Sequence, residues 1–250
     1  MKVLNMNNMS RLGRPRLQQM LTAGVEALRI QKELAARQSN LVAEILKDEG
    51  EFFEQEHYPA GDVFDPGSGA QYYYHAHRRD EREHGHFHVF LRPNHLPEKF
   101  EPIRHTRAGV GRCAGERQVG AHWPRGNAAL AHIVAIAMDN FGLPVRLFTV
   151  NRWVTDETWF AARDVIAMLD RFDLTHGYPS PGVNRWLASM LRLFQPDIAE
   201  LIRRRDAAVE ARARANPRTD ALEDRSLEVT AMLDISVDRR VRELRRSLGA

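Results

Sequence analysis

The chain has 250 residues, 43% of them hydrophobic, which is enough for a proper core in one large domain or two small ones. Its 36 basic residues are nearly matched by 33 acidic ones, and a net charge of +3 does not single out nucleic acid as a partner despite a pI near 9.2. No run approaches the roughly 18 apolar residues of a membrane span, the first residues lack a signal-peptide core, and the single Cys113 rules out an internal disulfide, so a cytoplasmic protein with no membrane contact is expected.

Residues 1–14 read as a flexible N-terminus. From Pro15 to Phe53, Leu17, Met20, Leu21, Val25 and Leu28, then Leu34, Leu41, Ile45 and Leu46, recur at three-to-four spacing, which predicts helix. Ser39-Asn40 divides it, since either residue can cap a second segment. The prolines and glycines between His57 and Gly69 then predict a structured loop.

That loop leads into Gln71–Leu91, which holds five of the eleven histidines as His75-x-His77 and His84-x-His86-x-His88. Side chains two apart on a strand share a face. If the two runs pair antiparallel around residues 78–83, with His77 opposite His84 and His75 opposite His86, all five imidazoles lie on one face with Tyr73. Tyr72, Tyr74, Phe87, Val89 and Leu91 then form the other. A one-residue slip would scatter histidines among apolar side chains, so this register is predicted. Neutral imidazole is the commonest biological metal ligand, and such a face can gather several around one ion, with Asp62, Asp65, Asp80, Glu81 or Glu83 as nearby carboxylates.

Pro93 to Gly126 shows no sustained period and reads as a long excursion or a set of short irregular strands. Its Arg104, Arg107 and Arg112 are placed and charged to hold an anionic substrate. Ala129–Met138 and Leu143–Trp153 flank a turn and predict a second hairpin. If Met138 pairs with Leu143, His132 shares a face with Leu147, Thr149 and Asn151. The remainder reads as four helices: from Thr155 or Asp156 to Asp170, from Ser180-Pro181 to Pro196, from Asp197 through Arg214, and from Asp220 to Leu248. In the last, Val237, Val241, Leu244 and Leu248 predict packing against a neighbouring helix or a second copy of the chain, giving a homo-oligomer. The arginines from Arg203 to Arg246 alternate with acids, as on a solvated helix surface, so nucleic-acid binding is not expected.

Gly69, His75-x-His77 and Glu81 are similar in spacing to the first cupin motif, in which two histidines and a glutamate bind metal. The chain has His88 where that motif ends in glycine, and the second cupin motif is not found. The succession His57-Tyr-Pro-x-Gly-Asp-Val, Tyr72-Tyr-Tyr-His-x-His, Glu83-His-Gly-His-Phe-His, Leu147-Phe-Thr-x-Asn-Arg-Trp-Val-Thr-x-Glu-x-Trp and Asn184-Arg-Trp-Leu resembles a family of uncharacterised bacterial proteins of unknown function. That resemblance spans roughly residues 44–206 and implies one compact domain without implying an activity.

The expected architecture is α+β: a small antiparallel sheet of at least two hairpins flanked by N-terminal and C-terminal helices. Residues 15–215 are expected as a single domain and 216–250 as a helical extension. The expected function is binding of a divalent transition metal (Fe, Zn, Mn or Cu) by His75, His77, His84, His86 and His88, with a metal-dependent reaction on a small molecule as its extension. The alternative is a non-catalytic interaction or regulatory module whose histidine face responds to pH or binds a ligand.

Overall fold

The computed structural model describes residues 12–76, 83–103 and 122–249. The first helices follow the apolar spacing: α1 spans Arg14–Ala36 and α2 spans Leu41–Leu46, the latter capped by Asn40, whose side chain accepts from the Ala43 amide at 2.9 Å. Among the described residues one antiparallel sheet follows, with six strands in the order of the chain: β1 Tyr58–Phe64, β2 Ala70–His75, β3 Gly85–Leu91, β4 Ala131–Met138, β5 Pro144–Val150 and β6 Val229–Asp234. Between β5 and β6 lie the short helix α3 (Arg152–Thr155), then α4 (Ala162–Met168), α5 (Pro181–Leu193) and α6 (Gln195–Ala215), and α7 (Val237–Leu248) closes the chain. The architecture is therefore the α+β one expected, and no helix among the described residues is long and apolar enough to cross a membrane.

The central hairpin adopts the predicted register, with His75 opposite His86, Tyr73 opposite His88 and Tyr72 opposite Val89. Alternation then sends Tyr72, Tyr74, Phe87, Val89 and Leu91 into the main core with Val134, Ile136 and Leu147. The helices complete that core. Ser180 caps α5, whose Val183, Trp186, Leu187, Met190 and Leu191 are all buried, and Asn184 on the same helix accepts from the Tyr72 hydroxyl at 2.6 Å. Each large apolar side chain so buried contributes about 1.5–3 kcal/mol. Helix α1 packs on both α5 and α7, and it approaches closely because Gly24 has no Cβ: one there would stand 2.6 Å from a Val241 methyl.

Four expectations need correction. Residues 57–69 are not wholly loop, because β1 runs through them as a bulged edge strand. Its register shifts between Tyr58 and Val63, where Gly61 and Asp62 take positive φ and break the alternation. The helix expected from Thr155 begins only at Ala162: Asp156 turns the chain at φ 50°, and Glu157–Phe160 form neither helix nor strand, with the Thr158 amide donating to Leu130 and Trp159 accepting from Ile103. The helix expected over 220–248 starts at Val237, since 229–234 forms β6 on the edge of β5, so the segment beyond 216 supplies part of the sheet. The stripe Val237, Val241, Leu244 and Leu248 is buried, and α7 packs against α1 of its own chain.

The fourth correction concerns β4. Met138 pairs with Pro144, and Ile136 with Leu147, rather than Met138 with Leu143. A bulge at Ile133 shifts the β3–β4 register between Val89 and Phe90, so that Phe90 faces His132. The extra residue reverses the parity of His132 relative to Val134 and Ile136. His132 thereby leaves the Leu147 side and joins the face that carries Ala135, Ala137 and Phe148.

Candidate functional site

The face opposite the main core carries Tyr73, His75, His86 and His88. His75 and His86 are direct cross-strand partners, and His88 lies two residues along β3 from His86, so the three rings crowd together: ring centroids are 4.5 Å apart for His75–His86, 4.7 Å for His86–His88 and 5.2 Å for His75–His88. One nitrogen from each of the three lies within 4.8 Å of the others. The Nε2 atoms of His75 and His86 face one another at 2.7 Å. Two lone pairs cannot sit so close unless a proton or a cation lies between them.

The second nitrogens of His86 and His88 are held by other groups. Glu83 Oε1 lies 2.5 Å from His86 Nδ1, and His132 Nε2 lies 3.0 Å from His88 Nδ1. Such partners fix the ring planes of His86 and His88. On the core face beside the cluster, Gly85 lets β2 and the Tyr74 ring come close to β3, because a Cβ there would stand 2.5 Å from both the His75 carbonyl oxygen and the Tyr74 hydroxyl. Burial holds His88 well below the ordinary histidine range, aided by the neighbouring His86, His132, His75 and His57. Burial likewise pushes His132 down to about 3, with Arg205 and His86 adding to the effect. Both rings are therefore neutral at physiological pH, the state in which imidazole ligates metal.

A layer of aromatic and polar groups backs the three rings. Tyr73 stacks on His57 at 3.5 Å and 9°, and His57 Nδ1 lies 3.0 Å from Asp62, which accepts from Gln71 at 2.7 Å. Gln71 in turn accepts from Arg92 at 2.8 Å. Behind His132 lies Glu157, fully buried, whose Oε2 accepts from the His132 amide at 2.7 Å. Burial raises the Glu157 carboxyl to about 7, against the opposing pull of Arg205 and Arg152. Glu157 Oε1, His132 Nδ1 and Arg205 Nη1 are buried without a hydrogen-bond partner, a set that internal water can satisfy.

Of the five histidines expected as ligands, three come together. His84 does not join them. It precedes β3, which starts at Gly85, and strand alternation does not reach it: its Nδ1 lies 2.6 Å from the Tyr74 hydroxyl and its ring 5.9 Å from that of Phe52. His77 lies outside the described residues, as do Asp80, Glu81, Cys113 and the three arginines Arg104, Arg107 and Arg112. Of the remaining carboxylates, Asp65 staples a loop instead, accepting from the amides of Gly67, Ser68 and Thr175 and from the Thr175 hydroxyl. His132, which the sequence places on the Leu147 face, and Glu157 are not among the expected site residues. A bulge hid the first; the second stands in the Asn151–Trp159 block, in a stretch whose capping residues suggested helix.

Beside the three histidines, toward β5 and β6, lies a pocket of about 120 Å³ lined among the described residues by Phe148, Val150, Val154, Val229 and Met232, with Glu83, Arg146 and Glu228 also on its wall. Three imidazoles, with a carboxylate fixing one of them, form a donor set suited to a borderline transition ion such as zinc or iron. A family model described as "Domain of unknown function (DUF6969)" matches residues 21–235. Neither a comparison with curated proteins nor one with solved structures gives a match.

Proposed function

Since the chain belongs to the DUF6969 family, whose description assigns no activity, we propose from the site alone that it is a metal-binding protein, with His75, His86 and His88 as the ligands. The observation that carries this is the convergence of three imidazole nitrogens within 4.8 Å, two of them face to face at 2.7 Å. Glu83 and His132 orient His86 and His88 from behind. Three protein ligands leave a position for water or substrate, the pattern of catalytic rather than closed structural sites, and a bound divalent ion would supply Lewis acidity or an activated water there. The adjoining pocket supports an enzymatic reading of the same centre.

The competing reading, a surface that switches with pH, draws less support. Burial keeps His88 and His132 neutral far below the pH at which an exposed histidine titrates. The test is elemental analysis of purified protein before and after reconstitution with Zn, Fe, Mn or Cu. About one equivalent per chain is expected, falling to background in His75→Ala/His86→Ala. Absence of stoichiometric metal under every condition refutes the proposal.

A further inference from the structure

The wall of the pocket beside the histidines is built by two cross-strand pairs, Phe148 with Met232 and Val150 with Val229, and by Val154 from α3. Alternation along β5 sends Thr149 to the other side, where its hydroxyl pairs with that of Thr230 at 2.9 Å, so neither hydroxyl faces the pocket. Met232 and Val229 each remain 36% exposed, although Phe148 and Val150 opposite them are buried. This apolar wall abuts the proposed ligands directly: the Phe148 ring stands edge-on to His86 at 5.1 Å and lies 6.3 Å from His88. The charged residues of the pocket belong to different parts of the chain, Glu83 before β3, Arg146 on β5 and Glu228 before β6, with Arg146 donating to Asp234 at 2.8 Å.

We propose that this pocket binds a small molecule with an apolar body no larger than a single ring and one oxygen or nitrogen donor group, the body held between Phe148, Val154 and Met232 and the donor directed at the metal. The proposal rests on the metal reading above. A site with an apolar wall directly beside its metal-ligating groups orients its ligand by the donor and draws affinity from the body. A ligand with the donor group but no body therefore binds weakly, and so does a body without a donor.

Cobalt(II) serves as both metal and reporter, since its visible spectrum changes when a ligand joins its coordination sphere. The reconstituted protein is titrated with benzoate, with acetate and with benzene sulfonamide as a nitrogen-donor probe. Benzoate and the sulfonamide should perturb the spectrum at concentrations about tenfold or more below acetate. Val154→Trp, which fills the pocket, should abolish that preference while cobalt content stays the same; Met232→Glu, at a half-exposed position, is a second variant with the same expectation should the first fold poorly. Bound cobalt with equal response to acetate and benzoate, or a preference that survives in both variants, overturns the ligand class and leaves the metal site standing. Failure to take up cobalt overturns both.

Discussion

Glu157 offers a quantitative test of how the site is supported. Its carboxyl is wholly buried and raised from 4.5 to about 7, chiefly by burial, with Arg205 and Arg152 opposing and Asp206 adding to the rise. A folded-state pKa above the unfolded value means that the folded chain holds the proton more tightly. The contribution to stability is fully present below pH 4.5 and is lost as the pH rises through 7. At about 1.4 kcal/mol per unit the full span is about 3 kcal/mol, of which about 2.5 kcal/mol falls between pH 5 and pH 8. Glu157→Gln keeps the shape and the acceptor for the His132 amide but cannot ionise. Urea unfolding of both proteins at pH 5 and pH 8, in chelator to remove metal, cancels the contributions common to both. The variant should gain about 2.5 kcal/mol on the wild type between the two pH values. A difference that does not change with pH would mean that Arg205 keeps Glu157 ionised, and the reasoning from burial would fail.

Glu83→Gln should retain metal at saturation but weaken affinity about 10-fold to 100-fold, measured by competition with a chelator, because the carboxylate beside His86 Nδ1 makes the ring a better donor. His84→Phe should leave metal content unchanged and lower stability by about 1–3 kcal/mol, since the buried Tyr74 hydroxyl loses its partner. Asp65→Ala should lower the denaturant midpoint by the equivalent of about 3 kcal/mol, because the amides of Gly67, Ser68 and Thr175 lose a buried acceptor, again without loss of metal at saturation.

The part of the site that could be read from the sequence is the part governed by strict alternation. Tyr72–His75 and Gly85–Leu91 have one register that separates imidazoles from apolar side chains, and the chain adopts it. His84 escaped because alternation holds only inside a strand, and the strand begins one residue later. His132 escaped for a related reason: one extra residue at Ile133 inverts the parity of everything before it, and no periodic pattern encodes where a bulge falls. Both edge strands were missed as well. β6 buries only Leu233 fully, so it shows no apolar face of its own and is held by pairing with β5. β1 carries Pro59, Gly61 and Asp62, turn-forming residues that here build the bulge of an edge strand. The helices α5 and α6 were legible because Ser180 and the two prolines mark their starts and apolar residues recur along each.

X-ray absorption spectroscopy of the reconstituted protein at the edge of the bound metal tests the central claim most directly, because it counts the imidazoles around the ion. Three histidine nitrogens at about 2.0–2.1 Å, reduced to two in His88→Ala, are the predicted result for zinc. A first shell of oxygen atoms with no imidazole scattering, or one unchanged when His75, His86 and His88 are replaced in turn, would contradict it.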